Sequence, residues 1–242
     1  MKKILTVLSL LLVLTAAAGA DIYVKSKVHS DAWAMMGQNQ PAKDEISEQW
    51  FNDTQFAVIS PETTIIVDTK KNIIDIVTHK NKTYIESALP FDFTKILDPQ
   101  MAQMMGQMMK MTVTAAANGQ TKTIGQWKCD GYDVTINMMM MPMKIAVWSS
   151  SDVPFDLTKF QSLYLDVMKA QMRLDEASVK EMAKIKGYWI ASETSAEMMG
   201  AKIRTTTEVV EMAKKAAPAS VYSVPAGYTK KDKLSMQDMQ NK

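Results

Sequence analysis

Methionine is the residue type in this chain whose number and spacing could support chemistry. The chain has 22 methionines among 242 residues, against 9 glycines and 6 phenylalanines. Half of the methionines lie between Met101 and Met143. Asp98 and Pro99 are typical of a helix start. Four methionines then follow at helical spacing, at Met101, Met104, Met105 and Met108. This spacing predicts a helix with a stripe of thioethers on one face.

Three interpretations of the methionines stay open. Methionine is flexible and fills irregular gaps, so the stripe could be ordinary core. The same flexible side chains can repack around varied apolar molecules, which favours a ligand cavity. Thioethers also bind Cu(I) and oxidise reversibly, so a copper-binding or oxidant-absorbing protein is a further hypothesis. No cysteine or histidine lies near the stripe in sequence to complete a copper site.

A second methionine run, from Met138 to Met141, favours the cavity. We expect this run to lie within one strand that extends from Tyr132 to Met141. Successive side chains of a strand point to opposite faces, so both faces of this strand would be apolar and would need cover. Val134 and Ile136 share a face with Met138 and Met140.

Helices laid over that inner face would roof a cavity. A second helical pattern supplies the other half of the roof, with its apolar face between Leu157 and Met172. The predicted ligand-binding residues are Met104, Met105, Met108, Val134, Ile136, Met138, Met140, Phe160, Leu163 and Val167. A one-residue error in strand direction would bring in Thr135, Met139 and Met141 instead.

Enzymatic residues are scarce in the sequence. The two histidines, His29 and His79, lie on different predicted strands. No nucleophile elbow, phosphate-binding loop, H-E-x-x-H pair or paired-cysteine zinc spacing occurs. We therefore expect a protein that is not an enzyme and needs no cofactor. The net charge of +2 with interspersed charges gives no basic patch, so we expect no nucleic-acid partner.

The first 20 residues have the features of a secretory signal peptide. Lys2 and Lys3 form a positive start, Ile4 to Thr15 is apolar, and small residues precede a cleavage point after Ala20. The apolar stretch is shorter than the roughly 20 residues that span a bilayer, so we expect no stable membrane anchor. The mature chain is predicted to be periplasmic or secreted.

The remainder is predicted to be one β-rich domain over residues 21–228, followed by a loose charged tail over 229–242. Short β-branched runs joined by polar turns predict an antiparallel meander. These runs are Ile22–His29, Glu45–Phe51, Gln55–Ile59, Thr63–Val67, Ile73–Thr78 and Thr83–Glu86.

Later segments predict further elements. Asn118-Gly119 is typical of a tight turn, and Ser178 with Glu181 has the spacing of a capping box that begins a helix. A final hairpin is expected from Tyr188–Glu193 and Lys202–Met212. The single cysteine, Cys129, is expected to be buried because it lies beside Trp127 in a strand-like run.

Three segments carry a resemblance to a known family. The segment from Lys122 to Val134 resembles a Thr-Lys-x-Ile-x-Gly/Gln-aromatic-x-Cys-x-x-Tyr motif, Lys144–Trp148 resembles the strand that follows it, and Val224–Tyr228 resembles a Pro-x-Gly-Tyr ending. The family is the exported domain-of-unknown-function family 4412 (DUF4412), similar in organisation to the periplasmic lipoprotein carriers typified by LolA and LolB.

The resemblance implies an α+β fold, mainly antiparallel β, in which a curved sheet forms an incomplete LolA-like β-barrel with helices over its concave face. In the carriers that concave face receives acyl chains. The expected function is therefore a binding protein or carrier for a lipid, a lipoprotein acyl chain or another apolar small molecule. An envelope interaction module that binds a protein partner through a sheet edge or surface groove remains the other alternative.

Overall fold

The structure, a computed structural model, describes residues 20–35, 38–99, 102–103, 111–138, 141–159, 161, 163–165, 175–198 and 200–233. Strands dominate these ranges. They are β1 (Asp21–Ser30), β2 (Trp33–Met35), β3 (Gln38–Gln40), β4 (Lys43–Phe51), β5 (Gln55–Ile59), β6 (Thr63–Asp68), β7 (Ile73–Thr78), β8 (Thr83–Ala88), β9 (Met111–Ile124), β10 (Trp127–Met138), β11 (Met141–Ser150), β12 (Tyr188–Met198), β13 (Ala201–Lys215) and β14 (Thr229–Lys230).

Twelve of these strands form one sheet, in the order β14-β8-β7-β6-β5-β4-β1-β13-β12-β11-β10-β9, and β2 pairs separately with β3. Neighbours in the large sheet are antiparallel except β14, which runs parallel to β8. The sheet is not closed, because within the described ranges β14 and β9 do not pair with each other. The predicted sheet-dominated α+β class is confirmed.

The predicted meander is confirmed over β1 and β4–β8. Its β-branched runs pair in register along the sheet, for example Ile66 with Asp75 and Ile76 with Ile85. The chain reverses direction at the polar turns between these runs. Asn72 lies in one of these turns and has a positive φ of 59°. Asparagine tolerates this left-handed conformation better than most residues because its short side chain bonds locally.

Helices are few and short in the described chain. A 3-10 helix covers Phe93–Ile96, and Pro99, Ala102 and Gln103 are helical, as predicted for this start. Residues 157–159, 161 and 163–165 are also helical, and we call them the 157–165 segment. Helix α1 is Glu176–Met182.

One face of the large sheet, the helix face, carries Ile22, Val24 and Val209. These residues belong to a buried cluster that takes in apolar side chains of β4–β8 and is covered by Phe91, Ile96 and the 157–165 segment. A second cluster on β9–β11 is covered by α1 and the turn after it. The covering segments therefore remove most of the apolar surface of this face from water, which is the main stabilising contribution to such a fold.

The opposite face, the strap face, carries Tyr23, Trp50 and Ile66 and is covered by the C-terminal residues 216–231, which we call the strap. Val221 is buried against these side chains. The tail was expected to be loose from residue 229, but Thr229 begins β14 and its N–H donates to the Lys82 carbonyl at 2.9 Å. Residues 234–242 lie outside the described chain.

The strap is held by polar contacts at both ends. The Asp21 carboxylate accepts from the Ala217 N–H at 3.2 Å, the Tyr222 hydroxyl at 3.0 Å and the Asn52 amide at 2.9 Å. At the other end the Tyr228 hydroxyl lies 2.8 Å from Nδ1 of His79. The Pro-x-Gly-Tyr segment, Pro225 to Tyr228, therefore places Tyr228 against the sheet.

The expected turn at Asn118-Gly119 is wrong. Both residues lie inside β9, where the pairing with β10 is irregular between Thr121 and Ala117. Gly119 has a φ of 73°, so its conformation suits a bulge as well as a turn. The actual hairpin turn is Gly125-Gln126, between the paired residues Ile124 and Trp127. The stretch of β9 and β10 contains two glycines with a positive φ, and only tertiary pairing decides which of them reverses the chain.

The Met138–Met141 run does not lie within one strand. Met138 ends β10, Met141 begins β11, and the two pair across a hairpin, while Met139 and Met140 lie outside the described residues. The inference that one strand is apolar on both faces therefore fails. Pro142 is the second residue of β11, close to the start of that strand.

Two other boundaries differ from the predictions. The predicted strand runs pass from Ile22–His29 to Glu45–Phe51 and leave out the small hairpin of β2 and β3, in which Met36 and Gly37 lie outside the described residues. Helix α1 begins before Ser178, because the Asp175 side chain caps it by accepting from the Ser178 N–H at 2.7 Å. Ser178 and Glu181 lie inside the helix and contact β9 instead.

Strand β9 is an edge of the large sheet, and α1 covers part of it. The Val113 N–H donates to the Ser178 hydroxyl at 3.2 Å, and the Ala115 N–H donates to the Glu181 carboxylate at 3.0 Å. These donors face away from β10, so the helix provides the partners that a neighbouring strand would otherwise supply.

The prediction that Cys129 is buried has a clear outcome. Cys129 is fully buried in β10, as expected, and burial raises the pKa of its thiol. No helix in the described ranges combines the length and apolarity needed to cross a bilayer.

Candidate functional site

A cavity of about 130 Å³ lies on the helix face, between the sheet and its helical cover. Its sheet wall comes from the middle of the twelve-strand order. Ser26 of β1, Gln49 of β4, Ile190 and Ser192 of β12, and Thr207 of β13 line it. These strands lie where the two apolar clusters of the helix face meet.

The opposite wall comes from the 157–165 segment and from the chain around the end of α1. Gln161 and Leu165 line the cavity from the first, and Met182 and Ile185 from the second. The Gln161 amide donates to the Ile185 carbonyl at 3.4 Å and so links the two parts of the cover. Gly187 then leads the chain into β12, with a φ of 93°.

Hydroxyl and amide groups are spread through the cavity wall. The Tyr188 hydroxyl donates to Oε1 of Gln49 at 2.9 Å. Ser192 and Thr207 are direct partners across β12 and β13, so their side chains are neighbours. In the described part of the chain, neither of these two hydroxyls, nor that of Ser26, has a hydrogen-bond partner.

The phenols of the cavity stay protonated at neutral pH. Burial raises the pKa of Tyr164 to about 12, because the phenolate form would lose its hydration. Burial also raises the pKa of Tyr188, and its nearness to Tyr164 adds to that shift. Together with the absence of lysine, arginine, aspartate and glutamate from the described lining, this makes the cavity uncharged.

The predicted lining residues fall in four groups. Val134 and Ile136 are buried in the second cluster, under α1, and are not among the residues that line the cavity. Leu163 packs against the first cluster from the helical cover. Met138 ends β10, and its side chain is not described. The others lie outside the described residues: Met104, Met105, Met108, Met140, Phe160 and Val167.

The alternative positions are placed as follows. Thr135 is half-buried in β10, opposite Thr114 and Lys144. Met141 begins β11, and Met139 lies outside the described residues. The copper hypothesis depends on Met101, Met104, Met105 and Met108, which all lie outside the described residues. Among the residues that are described, no three His, Cys, Asp or Glu side chains come together in a way that could hold a metal ion.

The cavity residues that the sequence analysis missed are polar. Ser26 continues the alternation of Ile22 and Val24 along β1, so a serine takes the place of an expected inward apolar side chain. Ser192 and Thr207 similarly lie two residues from the buried Ile190 and Val209. Along these strands, apolar side chains at every second position face the helices. A serine or threonine at such a position is the signal that could have located this site.

One buried carboxyl lies on the other side of the sheet. Asp75 faces the strap, is 8% exposed, and its Oδ1 has no hydrogen-bond partner in the described chain. Burial raises the pKa of this carboxyl, and the charge of Glu86 directly across the strand pair adds to the shift. The sheet separates Asp75 from the cavity, so the two do not form one site.

An exposed ionic network lies at the far end of β1. His29 contacts the Asp44 carboxylate through Nδ1 at 2.7 Å and the Asp31 carboxylate through Nε2 at 3.1 Å. Arg204 forms a two-pronged ion pair with Glu193, at 2.9 and 2.8 Å. The network is on the solvent-facing side of the sheet and does not reach the cavity.

We expect the free energy of unfolding to depend on pH through the protonation of His29. Its hydrogen bond to Asp44 raises the pKa of the imidazole above its ordinary value of 6.5. The folded state therefore binds this proton more tightly than the unfolded state. The resulting stabilisation is complete below about pH 6.5 and is lost as the pH rises through the folded-state pKa.

A ring-proton NMR titration of His29 measures the effect. The Asp44→Asn variant should bring the pKa of His29 back toward its ordinary value. An unchanged pKa in this variant would contradict the assignment, and His79 provides an internal control because it contacts Thr64 and Tyr228 instead.

Comparison with known proteins adds no family assignment. No family profile matches the chain, and no curated protein matches it in sequence. The resemblance to the exported family and to the lipoprotein carriers therefore stays a prediction.

Proposed function

We propose that this chain is an exported, non-enzymatic binding protein or carrier that takes up an apolar group of a lipid or lipoprotein acyl chain. The sheet would act as a LolA-like half-barrel with its helix face as the concave side. The observation that carries this proposal is the uncharged cavity of about 130 Å³ between the sheet and its helical cover. Concave, mostly apolar sites with a few polar groups are the usual form of small-molecule sites.

A side-chain contact across the sheet supports curvature toward the helices. Tyr188 of β12 bonds Gln49 of β4, although β1 and β13 lie between these strands. Three strand spacings amount to about 14 Å in a flat sheet, a long span for two side chains. Phe155 makes edge contacts with both Phe51 and Tyr188, with ring centres 5.2 and 5.7 Å away, which bridges the same gap.

The proposed export fits the start of the fold. Cleavage after Ala20 would leave Asp21 as the first residue, which is also the first residue of β1. Its carboxylate holds the strap through Ala217 and Tyr222. The cleaved chain would therefore keep every described strand.

The size of the cavity defines the part of a ligand that it can enclose. An apolar cavity of about 150 Å³ is enough to hold benzene. The described cavity is slightly smaller, so it would accept a group of about six carbon atoms, such as the end of an acyl chain. Transfer of each methylene from water contributes about 0.8 kcal/mol before ordering costs.

We expect the Ser192→Leu variant to lose the binding of benzene, because a leucine side chain would occupy the cavity. The affinity should fall at least about tenfold if the lost contacts exceed 1.4 kcal/mol. Isothermal titration or ligand-observed NMR measures it. Ser195→Leu is the matched control, because Ser195 is an exposed residue of the same strand and does not line the cavity.

Equal loss of binding in both leucine variants, or benzene binding that survives Ser192→Leu, would place the site elsewhere.

Native mass spectrometry of protein purified from its host tests which ligand the protein carries naturally. A co-purified lipid or acyl compound supports the carrier function. A bound copper ion that is lost when Met101, Met104, Met105 and Met108 are replaced would support the metal hypothesis instead.

A further inference from the structure

We propose that the cavity selects uncharged amphiphiles, in which an apolar group of about six carbons is joined to a neutral hydrogen-bonding group such as an alcohol, ester or amide. Anionic ligands of the same carbon number, such as a fatty-acid carboxylate, are excluded. This inference rests on the proposed binding function and specifies the chemistry of its ligand.

The first observation is the pairing of two hydroxyls in the sheet wall. Ser192 and Thr207 are opposite each other on β12 and β13 and both face the cavity. In the described chain neither hydroxyl is used in a hydrogen bond. Each can therefore donate one hydrogen bond and accept others from a bound molecule.

Ser26 and Gln49 extend this polar strip along the same wall. Ser26 is only 4% exposed, and its hydroxyl also has no partner in the described ranges. Gln49 accepts from Tyr188 through its carbonyl oxygen, which leaves its amide hydrogens as donors beside the cavity. A ligand with one neutral polar group could thus form hydrogen bonds with these donors and acceptors of the cavity wall.

The second observation is the absence of any cation from the described lining. An ionised carboxylate or phosphate that entered the cavity would lose hydration without gaining an opposite charge, which is strongly unfavourable. Neutral hydrogen-bonding groups lose much less hydration, and the hydroxyl strip compensates for it. The apolar wall of Leu165, Met182, Ile185 and Ile190 then holds the hydrocarbon part.

The experiment compares hexan-1-ol with hexanoate, which have the same number of carbons, and uses benzene as a purely apolar reference. At pH 7 hexan-1-ol should bind at least about tenfold more tightly than hexanoate, a difference of about 1.4 kcal/mol. Below the carboxyl pKa the neutral acid should bind with an affinity near that of the alcohol. The alcohol itself, measured at both pH values, controls for changes in the protein.

The Ser192→Ala, Thr207→Val double variant separates hydrogen bonding from cavity volume. It should keep benzene binding and lose most of the preference for hexan-1-ol over benzene. Hexanoate that binds at pH 7 as tightly as hexan-1-ol, or an unchanged preference in the double variant, would overturn the selectivity and leave the cavity function standing. Failure of benzene and hexan-1-ol alike to bind would overturn the binding function itself.

Discussion

The Gly187→Ala variant should be destabilised by about 3 kcal/mol, a large effect for the addition of one methyl group. Gly187 has a φ of 93°, a conformation that residues with a side chain rarely adopt. A Cβ at this position would lie 2.6 Å from the carbonyl oxygen and 2.7 Å from the carbonyl carbon of Ser150. Both atoms are backbone of the neighbouring strand, so the chain itself must move.

That movement would affect the binding site as well as stability. Gly187 lines the cavity and leads directly into Tyr188, whose hydroxyl bonds Gln49. Urea denaturation gives the change in the free energy of unfolding, and the benzene titration gives the change in affinity. We expect both to decrease in the same variant.

Gly200→Ala is the matched control. Gly200 also has a positive φ, 81°, but a Cβ there would meet no atom within 4 Å. The free energy of unfolding of this variant should fall by only about 1 kcal/mol, which is the cost of a positive φ at a residue that has a side chain. Equal destabilisation of the two variants would mean that contact with Ser150 adds nothing to the cost of Gly187→Ala. Gly187 would then not lie as close to β11 as the structure places it.

Removal of the strap should have a larger effect still. A chain that ends at Lys215 would expose Tyr23, Trp50, Ile66 and Val77, which are each at most 5% exposed under the strap. Full burial of one large apolar side chain contributes about 1.5–3 kcal/mol, so we expect a loss of at least about 4 kcal/mol. Single domains have a total stability of about 5–15 kcal/mol, so this truncation should leave the fold marginal or unfolded.

Thermal unfolding and the binding of an apolar fluorescent dye measure the effect, since the uncovered strap face should bind the dye. A chain that ends at Lys233 keeps every described contact of the strap and is the control. The milder Tyr228→Phe variant removes only the hydroxyl that contacts His79 and should cost about 1 kcal/mol. A Lys215 truncation as stable as the Lys233 control would show that the strap does not cover the sheet in solution.

The strands of the first half of the chain could be predicted because local patterns define them. The β-branched runs of β5, β6 and β7 are short, and short polar turns separate them. Their pairing is between sequence neighbours, so the order along the sheet follows the chain. Only one neighbour of β1, the strand β4, could be predicted in this way, because the other neighbour, β13, lies more than 170 residues later in the chain.

The errors in the second half came from residues whose conformation depends on tertiary pairing. Gly119 and Gly125 both have a positive φ, and only one of them ends a strand. Met138 and Met141 look like parts of one apolar strand, yet they face each other across a hairpin. Methionine has no strong turn or strand preference of its own, so a methionine run carries little information about where the chain reverses.

None of the predicted lining residues that the structure describes lines the cavity between the sheet and its helical cover, and the polar strip of that cavity was not predicted. Val134 and Ile136 were predicted to line the cavity because they are apolar and alternate along a strand. Residues of an ordinary hydrophobic core have the same properties. Ser192 and Thr207 become neighbours only through the pairing of β12 with β13. The pattern of a single strand cannot reveal such a pair.

The contacts of α1 with β9 also determine how the protein behaves when concentrated. An outermost strand with unpaired N–H groups can recruit the same strand of another molecule and extend into a fibre. Ser178 and Glu181 occupy two of these groups, at Val113 and Ala115. These two N–H groups are therefore not available to a strand of another molecule, which weakens pairing between molecules along this part of β9.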